Sequence, residues 1–168
     1  MTAPSNQQDG STLPPVVATV LSSMLPRYYR TFFPDAVGTW FFSKTRGRTP
    51  DQPIHRNFPS SRFAVNPMDV SSVPGSMIIA TMDDTIINGY GWNHQVAFQS
   101  KRTEIKLQMG DILFIRGDFI HSQTGYAYNN LCVQAFMVAL PPGNPWRRAQ
   151  LVPLYEDEPR RDEDSFRC

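Results

Sequence analysis

Three histidines, His55, His94 and His121, are the side chains of this sequence best suited by type to do chemistry. A neutral imidazole can hold a metal ion, and one near its usual pKa can move a proton. A non-haem iron centre needs two imidazoles and one carboxylate on one face of the ion, with the opposite positions left open. The two cysteines, Cys132 and Cys168, point elsewhere. Cys132 lies in the apolar run Leu131-Cys132-Val133 and Cys168 ends a polar tail, so no disulfide between them is expected. No CxxC spacing exists, which removes a structural zinc site of the cysteine type.

The elements that must position these residues are mostly strands. Ile112, Leu113, Phe114 and Ile115 form a continuous apolar run, the pattern of a strand buried on both faces. Gly110-Asp111 and Gly117-Asp118 bracket it with turn residues, and a second short run, Phe119-Ile120, delivers His121. Further strands are expected at Met77–Thr81, Thr85–Asn88, His94–Gln99, Thr103–Leu107 and Val133–Leu140. Asp83-Asp84 reads as the turn before the Thr85 strand, and Val16–Met24 reads as a short helix stopped by Pro26. Strands of this length at this spacing imply an all-β sandwich or barrel. The aromatic cluster of 27–43 is expected to close one end of it or pack an interface.

The stretch from Gly110 to His121 resembles the second motif of the cupins and non-haem iron oxygenases, the double-stranded β-helix or jelly-roll proteins. Arg116, Asp118 and Gly125 stand where that motif prefers Pro, Gly and Asn. His55 precedes His121 by 66 residues, within the usual range for the early ligand, whereas His94 precedes it by only 27. Gln52-Pro53-Ile54-His55-Arg56-Asn57-Phe58-Pro59 is similar to the His-x-Asp segment of Fe(II)/2-oxoglutarate oxygenases, with Asn57 at the Asp position. Met77–Thr85 and 110–137 extend the similarity over about half the chain. In those enzymes an Arg some ten residues after the distal His binds the far carboxylate of 2-oxoglutarate, and its counterpart here is Cys132. The resemblance thus implies a metal set of His55, Asn57 and His121, with Fe(II) as the candidate ion. Lys106 or Arg116, like Lys101 or Arg102, could replace the lost cation near Cys132; without one, 2-oxoglutarate is not expected to bind. The plainer alternatives are a strand-end His121 bonded to a backbone carbonyl, Asn57 as a turn former, and His94 as a loop residue near the barrel mouth.

The sequence has 168 residues, 18% of them charged, and a net charge of +1, which argues against a general nucleic-acid or membrane-surface binder. The balance is uneven: residues 27–62 carry seven Lys or Arg against Asp35 and Asp51, so contact with RNA or an acidic partner stands beside a merely solvated face. The expected organisation is a flexible arm over 1–15, the β-helix domain over 16–140 and a Pro-rich, charged tail over 141–168. No stretch has a signal-peptide shape or the length of an apolar span, which makes intracellular, cytoplasmic the default. Two functions follow. One is an oxygenase-like barrel without catalysis, a binding or structural component that meets other protein subunits through its arms. The other is an active Fe(II)-dependent oxygenase with a modified His-x-Asn…His site, acting on a small-molecule ligand or a protein side chain.

Overall fold

The computed structural model describes residues 11–32, 37–58, 74–92, 95–138 and 149–156. The described chain runs β1 (Ser11–Thr12), α1 (Pro15–Met24), α2 (Pro26–Tyr29), β2 (Val37–Thr45), β3 (His55–Arg56), β4 (Gly75–Ala80), β5 (Thr85–Gly89) and β6 (Ala97–Phe98). There follow β7 (Thr103–Leu107), β8 (Ile112–Arg116), β9 (His121–Gln123), β10 (Asn130–Val138), β11 (Gln150–Leu151) and β12 (Leu154–Tyr155). One five-stranded sheet has the order β1-β2-β10-β4-β8 and the other β11-β3-β9-β5-β7. Every pairing within both is antiparallel.

The two sheets face each other across Ile78, Ala80, Ile115 and Cys132 from the first and Ile87 and Leu107 from the second. Alternate residues of the first sheet, Met77, Ala135 and Met137, point outward and are covered by Leu25 and Tyr29 of the helices. That double cover explains the unbroken apolar sequences of β4 and β8. In β8, Leu113 and Ile115 face the second sheet while Ile112 and Phe114 face the helices. The outer face of the second sheet is sealed by Tyr90, Ala97, Ile120 and Val152. The architecture is the jelly-roll expected from the sequence.

Five elements differ from the sequence expectation. The first sheet already begins before Ser76: β2 pairs with β10 over nine registers, Val37↔Val138 to Thr45↔Asn130. Its aromatic residues do pack, with Phe41 on Phe136 at 5.1 Å between ring centroids. β3 lies in a stretch for which no strand is expected from the sequence. Gln150–Leu151, in the tail region, pairs with Arg56 and His55 and extends the second sheet, while Ser11 and Thr12, in the arm region, pair with Phe42 and Phe41. Of the strand expected at His94–Gln99, only Ala97–Phe98 is extended among the described residues, and Gln99–Lys101 is a single 3-10 turn.

The turn that precedes His121 is tied to the chain on both sides. The Phe119 N–H donates to the Arg116 carbonyl at 3.0 Å, the Gly117 N–H to Pro74 at 2.7 Å, and the Phe58 N–H to the Gly117 carbonyl at 3.0 Å. A Cβ on Gly117 would lie 2.5 Å from the Pro74 carbonyl oxygen and also strike the Phe58 ring, so no side chain fits. Gly117→Ala is expected to destabilise the fold by about 1–3 kcal/mol, as overpacking does. The check is a lower urea midpoint at constant m-value; an unchanged midpoint would mean that this approach is not tight.

Candidate functional site

β3 and β9 meet through one register pair, His55↔His121, and β9 meets β5 through Gly89↔His121. Residues directly opposite in an antiparallel pair point to the same face. The two imidazoles are therefore neighbours, with ring centroids 4.6 Å apart and planes inclined by 50°. On the far side Gly89 contributes no side chain, and the Phe119 ring occupies that space: a Cβ on Gly89 would lie 2.5 Å from its tip. Phe119 in turn stacks on His121 at 6.1 Å and contacts Trp92 at 6.2 Å, so a row of rings leads from half-exposed Trp92 inward.

Both histidines are held in the same way. His55 Nδ1 lies 2.8 Å from the Pro53 carbonyl and His121 Nδ1 lies 2.9 Å from the Phe119 carbonyl. A carbonyl only accepts, so Nδ1 carries the proton in each neutral ring and Nε2 keeps its lone pair. His121 is buried, and its pKa is pushed down to about 3, first by desolvation and then by His55 beside it. Burial also lowers the pKa of half-buried His55, against the opposing bonds from Pro53 and Asn57. Two protons within this contact would repel in a dry setting, so both rings are neutral at pH 7. Asn57 completes the cluster, hydrogen-bonding His55 and donating its Nδ2 to Ser76 Oγ at 2.7 Å.

The cation candidates are placed elsewhere. Lys106 sits between Ile105 and Leu107, which turn toward the core, and its exposed ammonium pairs with Asp84 at 2.7 Å. Its position on the outer surface corrects the expectation that it could serve the cavity. Arg116 grips Asp118 through Nε and a terminal nitrogen at 2.6 and 2.7 Å and lies over Trp92, two rings away from His121. Arg102 donates to Asn88 at 3.1 Å, and Lys101 lies over Phe98 at 5.6 Å. Cys132 does face the interior. Its fully buried thiol lies 3.8 Å from the Ser43 carbonyl and accepts from Gln134 Nε2 at 3.5 Å, and burial raises its pKa, so it stays protonated and inert. Asp83 and Asp84 form the turn read from the sequence, with Asp84 at φ 55°, and Asp83 also accepts the Met109 N–H at 2.9 Å. His94 lies outside the described residues.

Two features escape a reading of the sequence. Gln123, two residues after His121 and on the same face, donates to Asn130, which donates to Thr85. The interior beyond the histidines is thus polar, uncharged and bonded to itself. Arg56, which the sequence counts with the basic face of 27–62, is instead fully buried. Its charge is disfavoured by desolvation and supported by nearby Asp118. Only the apolar neighbours Ile54 and Phe58 signal that burial in the sequence.

As a metal centre the arrangement is incomplete. Two neutral imidazoles suit a transition metal, but His55 is already hydrogen-bonded to Asn57, Asn57 supplies no charge, and Fe(II) sites of this type rely on a carboxylate. Among the described residues no group of three or more His, Cys, Asp or Glu could hold a metal ion. The residues present do not fit the iron triad.

The fold is a cupin-like jelly-roll barrel of the kind also found in 2-oxoglutarate oxygenases. No protein family and no curated protein matches the sequence. Solved structures do share the architecture. The non-heme alpha ketoglutarate dependent carbocyclase SnoK from nogalamycin biosynthesis superposes with a TM-score of 0.54 at 8% identity, over 83% of this chain and 62% of that one. EvdMO1 gives 0.54 at 13% identity over 76% and 32%. A cupin protein from Bacteroides fragilis is more distant, at 0.38 and 10% identity over 68% and 79%. The chain thus spans less than two thirds of SnoK and a third of EvdMO1, and at these identities the likeness is one of fold.

The histidine pair predicts a pH dependence with a definite sign. His121 titrates near 3 when folded and near 6.5 when unfolded, so between those values the unfolded chain binds the extra proton. Stability is therefore full above pH 6.5 and falls as the pH drops toward 3. His121 alone should account for about 2 kcal/mol lost between pH 7 and pH 5. Urea unfolding at the two pH values measures this, and His121→Asn should flatten the difference; equal slopes in both proteins would show that the imidazole is not buried neutral.

Proposed function

We propose that this chain is an oxygenase-fold barrel that does not turn over 2-oxoglutarate and acts as a binding or structural component of a larger assembly. One observation carries the reading: among the described residues, neither position that carries charge in the resembling enzymes carries one here. The carboxylate position is the amide of Asn57, and the guanidinium position is the fully buried, hydrogen-bonded thiol of Cys132. A neutral donor set leaves the charge of Fe(II) uncompensated. A dicarboxylate brought against Cys132 would lose its hydration without a cation in return, at a cost of several kcal/mol per charge. The hydrogen-bonded Gln123–Asn130–Thr85 chain supports the same reading, because a ligand would have to break bonds that are already made.

What remains suits recognition of a neutral group. The Nε2 lone pair of His121 can accept a hydrogen bond, and the Trp92–Phe119 row offers aromatic surface at the rim. The exposed basic residues Arg27, Arg30, Lys44, Arg46 and Arg48 keep an acidic partner or RNA within this proposal, with Arg56 removed from that face by its burial.

Anaerobic protein supplied with Fe(II) and 2-oxoglutarate should show no visible charge-transfer band and, in air, no succinate above a protein-free control. Succinate formation that His121→Ala abolishes would overturn the proposal. Asn57→Asp restores the missing charge, and Ser76 can donate to the new carboxylate. Calorimetry should then show Co(II) affinity at least tenfold above the parent, while Lys106→Ala changes nothing.

A further inference from the structure

The helices over the first sheet carry two parallel rows of side chains at four-residue spacing. Leu21, Leu25 and Tyr29 form the inner row and pack on Met77, Ala135 and Met137. One position earlier on each turn runs a second row, Val16, Val20, Met24, Tyr28 and Phe32, each between 45% and 75% exposed. Of the five, Phe32 lies just beyond α2 and also rests on Phe114 at 5.5 Å between ring centroids, while Val16, Val20, Met24 and Tyr28 are not part of the core beneath the helices. With Val17 they leave roughly 500 Å² of apolar surface open, near the upper end for a monomer.

The form of this surface selects its occupant. A row at i, i+4, i+8 is the ridge that packs into the groove of another helix carrying the same ridge, and two copies of one chain supply identical ridges. Joining two such faces would bury about 1,000 Å², the lower bound of a specific interface and the range of weak, reversible dimers. Charge agrees. α1 contains no acidic or basic residue, so its centre meets its own copy without repulsion. The charges of the two helices are Arg27 and Arg30, both beyond the end of α1. In an antiparallel crossing at Val20, Arg27 of each copy lies about 10 Å from the axis on opposite sides, and the pair is separated by more than a Debye length of about 8 Å.

We propose that the Val16–Val20–Met24–Tyr28–Phe32 ridge is a two-fold interface through which two copies of this chain associate. The ridge lies outside the first sheet, whereas His55 and His121 belong to the second, so the inference holds whether or not the histidines bind a ligand.

Sedimentation velocity of the full chain between about 1 and 500 μM tests it. The expected result is a reversible monomer–dimer shift within that range. Val20→Glu, which sets like charges against each other at the axis, should weaken association at least tenfold while the circular dichroism and melting temperature stay unchanged. Val16→Lys, at the most exposed position, should weaken it as well and does not endanger folding. Val20→Cys combined with Cys168→Ser should give a disulfide-linked dimer under mild oxidation. Several outcomes would overturn the proposal: a monomer at every concentration, a dimer indifferent to both charge substitutions, or a Val20→Cys thiol shielded from reagents in the monomer, which would mean that another part of this chain covers the ridge. Ridge-dependent binding of the monomer to phosphatidylserine vesicles would assign the surface to a membrane instead.

Discussion

Side chains directly opposite in an antiparallel ladder share a face, and at His55 and His121 this forces two imidazoles into contact at the centre of the second sheet. Their environment follows from that contact. Two charged rings cannot coexist there, so both are neutral, and the carbonyls of Pro53 and Phe119 fix the tautomer that leaves the lone pair on Nε2. The neighbouring strand must supply a residue without a side chain at Gly89, because the ring of Phe119 fills the space beside the pair. The turn before His121 must pass so close to Pro74 and Phe58 that only glycine fits at 117.

The charges that are buried belong to β3 and to the turn before His121. Asp118 is buried, gripped by Arg116 through two hydrogen bonds and lying near buried Arg56. Paired in this way, neither the carboxylate nor the guanidinium is left as an uncompensated buried charge. This cluster replaces the Pro and Gly that the resembling motif prefers in the turn. It therefore braces the β8–β9 connection by ion pairing. The guanidinium of Arg116 is consumed in this bracing, which is why a cation so near in sequence to His121 gives it no charged neighbour.

Two kinds of cover let a chain with few charged residues bury strands on both faces. The helices shield one side of the first sheet, and the second sheet shields the other. The segment around Val152 closes the outside of the second sheet, with the Val152 N–H donating to Ile54 and the Ala97 N–H to Pro153. The residues that hold His55 in its strand thus come from the far end of the chain.

What the sequence determined alone was local. The apolar run from Ile112 to Ile115, the flanking Gly-Asp pairs and the alternation of β7 mark strands and turns, because hydrophobic period and turn chemistry act over a few residues. The order of motifs was enough to pair His55 with His121 and to set Asn57 and Cys132 at the altered positions. Only the tertiary structure decided the rest. β3 is two residues long and carries no strand signal; it is extended because β9 and β11 supply its hydrogen bonds from 66 and more residues away. Lys106 and Arg116 looked equally able to serve the cavity, yet the facing of one strand and one ion pair sends both charges elsewhere. Arg56 is buried against every composition rule, since burial depends on what packs around a side chain and not on its type. Long-range pairing and burial are properties of the assembled sheets, and no window of sequence contains them.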